Sequence, residues 1–212
     1  TVVSGGMENL SQAPHVMRGG RDGWKLGRSP MVEDYMMTNL KDTTCGLFMA
    51  QTSDEICKRK GVTREEIDEF AALSHARTTA SIENDVFESE IIPVTIKSRR
   101  GDTVVTHKDE DHVVKNTTAE SLSKLPTAFG PESFVTAGNA SGVVDGAAAV
   151  VIKSASQAQS DGDEPLARIV SWGIVGLEPA IMAYGPVPSS RKALEKAGLT
   201  TEDIDRWEIN EA

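Results

Sequence analysis

The chain has 212 residues, is 39% hydrophobic and 25% charged, and carries a formal net charge of −10, a composition that fits a soluble chain of one large or two small domains. That acidity excludes general nucleic-acid binding, which needs a basic face, and obliges any phosphate-bearing ligand to find a local basic patch. No stretch is apolar for long enough to span a bilayer, no signal-peptide pattern occurs within these residues, and the two cysteines, Cys45 and Cys57, offer neither a disulfide framework nor metal spacing, which fits a reducing compartment.

In chain order, Thr1–Val3 read as the end of a strand that Gly5-Gly6 then turns. From Ala13 to Pro30 the chain is rich in Gly, Arg and Pro, and Arg18–Gly23 reads as an excursion outside regular structure. No Gly-x-Gly-x-x-Gly occurs in it, which excludes a Rossmann dinucleotide turn there. Two capping boxes follow: Thr52-Ser-Asp-Glu55, ahead of Ile56 and Cys57, and Thr63-Arg-Glu-Glu66, ahead of Ile67, Phe70, Ala71 and Ser74 at helical spacing. Gly61 separates the two helices, and the second is predicted to run to Asn84. Ile91–Ile96 reads as a strand that Pro93 interrupts for pairing, Arg99–Asp102 as a turn, and Thr103–Thr106 as a returning strand.

Residues 107–116 are polar and charged. Thr118–Leu125 predicts a short helix, and Phe134–Thr136 a strand-like entry to a tight small-residue turn followed by a helix start. Ala147–Ile152 is an apolar strand, Ser154–Ser160 a polar helix, and Asp161–Pro165 the best linker candidate. Leu166–Trp172 alternates as a strand. Ser189–Ala197 predicts a helix closed by Gly198, and Thr200–Asp203 caps a last helical turn before Trp207–Asn210. Strands alternating with helices give an α/β chain, and no internal repeat is visible.

Several tempting residues have plain explanations. Cys57 sits among aliphatic neighbours and reads as core. His15, His75, His107 and His112 share no metal spacing, so no metal site is predicted. His107 and His112 flank Asp109, Glu110 and Asp111 in what reads as a solvated loop. Lys97, Arg99 and Arg100 form a basic run that fits a solvated turn.

The run Val135-Thr-Ala-Gly-Asn-Ala-Ser-Gly-Val-Val-Asp-Gly-Ala-Ala-Ala149 brings backbone amides within reach of a ligand, because nothing larger than Ala, Ser or Asn lines its turn. Together with Ser4-Gly-Gly-Met-Glu-Asn-Leu-Ser11, Ser74-His-Ala-Arg77, Tyr184-Gly-Pro-Val-Pro188, Leu194–Gly198 and Ile209-Asn-Glu-Ala212, it resembles the thiolase family over the whole chain. These are acetyl-CoA C-acetyltransferases and 3-ketoacyl-CoA thiolases, which make or cleave the carbon–carbon bond of a 3-ketoacyl-CoA. The implied fold is a five-layer αβαβα core, incomplete here, with an inserted α+β loop domain. By that analogy residues 1–10 end the N-terminal half, 11–140 form the CoA-binding loop domain, 141–163 return to the N-terminal half, and 164–212 open the C-terminal half. A start at Thr1 and a stop at Ala212 read as those of an internal piece. The nucleophilic Cys is then expected upstream, and the Gly-His-Pro histidine and second Cys downstream.

The resemblance implies roles residue by residue. Asn210 matches the Asn that holds a water of an oxyanion hole; its amide can donate and accept at once. Glu211 would support it, and Ala212 would wall the reactive end. Ala137, Gly138 and Ser141 match positions against the pantetheine arm. Leu40, Met49, Ser121 and Phe129 match positions lining the CoA site, although residue type alone favours core for Leu, Met and Phe. Phe48 stands where acetoacetyl-CoA thiolases commonly carry His. Val114 stands where many relatives place an Arg near the adenine nucleotide, and Lys115 beside it can take over the charge without the fork geometry of Arg. Residues 18–28 match a surface excursion that meets a neighbouring subunit or the CoA phosphates. The expected ligands are CoA and acyl-CoA as substrates, with no permanently bound cofactor. The expected assembly is a homodimer or homotetramer, and the expected location cytoplasmic. Ser74–Arg77 and Tyr184–Pro188 lean towards degradative enzymes. The competing reading is a non-catalytic thiolase-like protein that binds acyl-CoA or lipid; an upstream Cys would separate the two.

Overall fold

The longest ladder among the described residues joins segments far apart in the sequence: β1 (Val2–Glu8) pairs antiparallel with β6 (Gly146–Ile152), from Val2 opposite Ile152 to Glu8 opposite Gly146. This computed structural model describes residues 1–27, 29–97, 99–105 and 112–210. The chain divides into two units, one of residues 1–56 with 143–212 and one of 57–142.

In the first unit the ladder runs straight through Gly5-Gly6, where a turn was predicted. The glycines serve pairing instead. A Cβ on Gly5 would stand 2.4 Å from the carbonyl oxygen of Ala148, so only Gly lets the two strands approach this closely. Both faces of the ribbon carry exposed apolar side chains, Val3 and Val151 among them, because two strands cannot cover their own faces.

The Gly-rich stretch is also more ordered at its base than its composition suggests. A one-turn 3-10 helix (Leu10–Gln12) precedes β2 (His15–Met17), which pairs with β3 (Val32–Asp34) and closes the excursion between them. Arg18 Nε reaches Glu33 at 2.7 Å, and that hydrogen bond raises the guanidinium's proton affinity; the Trp24 indole donates to the Arg18 carbonyl. The Ser11 backbone N–H donates to Asp145 at 2.9 Å and holds that carboxyl below its ordinary range.

Helix α1 (Tyr35–Asn39) is capped by Asp34, and α2 covers Met49–Lys60. Thr52 does not cap α2: it lies inside the helix, 1% exposed, and its hydroxyl donates to the Met49 carbonyl at 2.6 Å. The cap comes one turn earlier, where Gln51 accepts from the Phe48 N–H at 2.9 Å. A Thr-x-x-Glu spacing recurs inside helices, and here the earlier start wins.

Later in this unit, α5 (Ala155–Asp161) is capped by Ser154 and closed by Gly162, and α6 (Pro186–Ala197) follows a 3-10 turn (Pro179–Tyr184) and ends on Gly198 at φ 68°. Pro186 opens α6 three residues before the predicted start, because a proline at the first helical position forfeits no hydrogen bond. Thr200 and Asp203 form the expected capping box. Leu166–Trp172 is not a strand: among the described residues it has no ladder partner, and Ile169 and Trp172 are exposed.

In the second unit the Thr63–Glu66 capping box is present and starts α3 (Arg64–Glu83), with Asn84 as C-cap. The Thr63 N–H holds the Glu66 carboxyl below its usual range. The hairpin β4 (Val94–Ile96) with β5 (Thr103–Val105) follows, and Thr118 with Ser121 caps α4 (Ala119–Ser123). Helix α3 buries a face other than its apolar one: Phe70, one of the residues at helical spacing, is 61% exposed, whereas Asp68 is 1% exposed. Among the described residues no helix is long and apolar enough to cross a membrane.

Candidate functional site

The small-residue turn forms one wall of a cleft of about 440 Å³ inside the second unit. Ala137, Gly138, Ala140, Ser141 and Gly142 line that wall. Ser121, Leu122 and Leu125 face it from α4 and its end, and His75, His112, Val114 and Thr117 complete the lining. Of the expected ligand residues, Ser121, Ala137, Gly138 and Ser141 are therefore brought together.

The turn leads into no helix, contrary to the sequence reading; residues 141–145 carry no regular structure before β6 begins. Its backbone is held by side chains instead. Asn139 Oδ1 accepts from the Thr136 N–H at 2.7 Å, and Thr136 Oγ1 accepts from the Gly138 N–H at 3.2 Å. A helix start would compete for those same amides, and this Asx-type arrangement claims them first.

Gly138 has a steric reason to be Gly. A Cβ there would fall 2.5 Å from both Leu122 Cδ2 and Leu125 Cδ1. Leu122 is 4% exposed, so the turn and α4 are already in packing contact at this end of the cleft. His75 spans two of the walls. Its Nδ1 accepts from the Val114 N–H at 3.4 Å, so Nε2 carries the proton that faces the Gly138 carbonyl at 3.4 Å. The sequence reads Ser74–Arg77 only as family resemblance, and no local pattern ties His75 to a turn 63 residues on.

Lys115, beside Val114, is exposed and lies 3.6 Å from Glu83, outside the cleft lining. Phe129 is half-buried and also outside that lining; it sits in the loop between Thr127 and Thr136, which bridge each other as extended partners.

Leu40, Phe48 and Met49 gather in the first unit through a tight loop. The Met49 N–H donates to the Leu40 carbonyl at 2.9 Å, Lys41 bridges Phe48, and the Lys41 ammonium stands 5.8 Å from the Phe48 ring centre. Asp42 builds the loop and escaped the sequence reading. Its carboxylate accepts from the Thr44 and Cys45 N–H groups at 2.7 and 2.8 Å, bonds that hold its carboxyl below the ordinary range. Gly46, at φ 74°, closes the loop.

Asn210 is exposed and follows the Thr200–Asp203 turn in the first unit. Ala212, Glu211, His107, Asp109, Glu110 and Asp111 lie outside the described residues.

Comparison with known proteins gives a consistent family. The model of the thiolase N-terminal domain matches residues 1–156, and that of the thiolase C-terminal domain matches residues 163–212. The acetyl-CoA acetyltransferase of Cupriavidus necator is 44% identical over 211 residues, covering 100% of this chain and 53% of that protein. The acetyl-CoA acetyltransferase of Rhizobium meliloti is 43% identical over 212 residues, with the same shares covered. Among solved structures, the human mitochondrial 3-ketoacyl-CoA thiolase in complex with CoA superposes with a TM-score of 0.89 at 40% identity, over 99% of this chain and 52% of that one. The chain thus spans about half the length of the curated relatives it matches.

Proposed function

The chain belongs to the thiolase family, and from that premise we propose that its full-length protein is an acetyl-CoA C-acyltransferase. It transfers acyl groups between acyl-CoA and CoA or acetyl-CoA, by thiolysis of 3-ketoacyl-CoA or by the reverse condensation. The observation that carries this reading is the cleft walled by Ala137, Gly138 and Ser141 against Ser121 and Leu122. A pantetheine arm is a thin chain bearing amides, and it suits a wall with little side-chain bulk and accessible backbone polar groups.

In this reading residues 11–140 act as the CoA-binding loop domain. Residues 1–10 and 141–163 belong to one half of the core and 164–212 to the other, and the rest of that core covers the exposed apolar ribbon. Leu40, Phe48, Met49, Phe129 and Ala212 line the acyl-CoA path, and Lys115 offers charge to the nucleotide end. The acyl group is held as a thioester on a cysteine outside these residues. Attack by the CoA thiolate on that thioester carbon forms acyl-CoA and returns the cysteine thiolate, while the developing oxyanion needs preorganised donors. Asn210 supplies one by orienting a water. The protein works in the cytoplasm as a homodimer or homotetramer.

Ser141 lines the cleft and is exposed, so a bulky residue there fills ligand space without breaking the core. Ser141→Trp in the full-length protein is expected to weaken CoA binding by tenfold or more, as an order of magnitude for losing a packed contact, with an unchanged melting temperature. Unchanged affinity in calorimetric titration would remove the pantetheine assignment. Thiolysis of acetoacetyl-CoA by the same protein separates enzyme from non-catalytic binder: CoA binding without turnover favours the binder. The 212 residues expressed alone are expected to be inactive, and activity that Cys45→Ala or Cys57→Ala abolished would relocate the nucleophile.

A further inference from the structure

Helix α3 buries a carboxylate where an apolar side chain would cost nothing. A buried charge is tolerated only when fully paired, and Asp68 is paired on both oxygens. Its Oδ2 receives Arg64 Nε at 2.7 Å, and its Oδ1 receives Asn139 Nδ2 at 2.9 Å. Each partner leads to a different wall of the cleft.

On one side Asn139 spends every polar group it has. One amide proton goes to Asp68, the other to the Phe134 carbonyl at 2.9 Å, and its oxygen takes the Thr136 N–H. Thr136 is 0% exposed and holds the Gly138 N–H in turn. On the other side Arg64 uses a second nitrogen to donate to the Leu122 carbonyl of α4 at 2.8 Å. Asp68, Arg64 and Asn139 themselves do not line the cleft. One carboxylate on a stable 20-residue helix therefore ties the small-residue turn and α4 to a common anchor.

We propose that Asp68 is a positioning residue for CoA: through Asn139 and Arg64 it fixes the separation of the turn from α4, and so the fit of the pantetheine arm. This rests on the CoA reading of the cleft given above. There is little slack for error, because Gly138 already touches Leu122 and Leu125. Without Asp68 the Asn139 amide loses its anchor, and the turn can drift from the spacing the ligand needs.

The test uses the full-length protein and two variants: Asp68→Ala and Asp68→Asn. For each, the folded fraction is measured by circular dichroism, CoA affinity by calorimetry, and kcat and KM by acetoacetyl-CoA thiolysis. Asp68→Ala is expected to raise Kd and KM for CoA about tenfold per folded site, an order of magnitude for orphaning a buried hydrogen-bonding group, with kcat at saturating CoA within about threefold. Asp68→Asn, the milder change, sets an amide against the donors of Arg64 or Asn139 and is expected to fall between. Parental CoA affinity in the folded fraction of both variants would overturn the proposal and leave Asp68 a stabilising residue only. A parent protein that fails to bind CoA would instead overturn the reading of the cleft itself, and the role of Asp68 with it.

Discussion

Asn210→Ala in the full-length protein is expected to lower turnover about a hundredfold, the typical consequence of removing one oxyanion donor, while changing KM little. The reason is differential binding. A water oriented by an amide stabilises negative charge that exists only in the transition state, so its loss appears in kcat and not in substrate affinity. Asn210→Asp is expected to be at least as harmful, because a carboxylate repels the developing oxyanion. A structural Asn would behave otherwise: the Ala variant would melt earlier, and each surviving folded site would turn over normally. Melting temperature and active-site-titrated turnover on one preparation separate the two outcomes. Normal turnover per folded site would refute the catalytic role. The position of Asn210 makes the stability arm easy to read, since it is exposed and lies outside any helix or strand.

The caps were legible because four consecutive residues encode them. Thr63 with Glu66 and Thr200 with Asp203 make the bonds their spacing predicts, whereas Thr118 with Ser121 and Ser154 cap helices that the sequence predicts without naming their caps. Thr52 misled because the same spacing fits the inside of a helix equally well. Gly5 misled for a different reason: its need for Gly comes from Ala148, more than a hundred residues away, and no local pattern carries that distance. The cleft shows the same division. Small residues in a row announced the turn, but its anchor is Asp68, whose partner Asn139 lies 71 residues on. A carboxylate inside an amphipathic helix pattern reads as a solvent-facing residue until that partner is found. The pantetheine roles proposed for Ala137, Gly138 and Ser141 come from the resemblance; the geometry adds the residues behind them.

Gly173→Ala is expected to cost stability on the order of 3 kcal/mol, at the upper end for forcing an atom into a packed contact. The stretch from Ser171 to Ile174 lies against α6. Ser171 Oγ donates to the Ala193 carbonyl at 2.7 Å, Lys192 Nζ to the Ile174 carbonyl at 2.9 Å, and Lys196 Nζ to the Trp172 carbonyl at 3.0 Å. The Lys196 ammonium also stands 5.5 Å from the Trp172 ring centre. A Cβ on Gly173 would sit 2.2 Å from the Ser189 carbonyl oxygen and 3.1 Å from the Ala193 nitrogen. Those atoms are helix backbone, which no rotamer change can move aside, so the stretch must lift and all three hydrogen bonds weaken together. Gly138 differs in this respect, because the atoms it would strike are leucine methyls. Gly176 provides the control: nothing lies within 4 Å of its added Cβ, and its backbone is outside the left-handed region. Gly176→Ala is therefore expected to be neutral or slightly stabilising, through the reduced freedom of the unfolded chain. Chemical denaturation of the two variants beside the parent decides the matter. Equal stabilities for Gly173→Ala and Gly176→Ala would show that the 171–174 stretch does not depend on its close approach to α6.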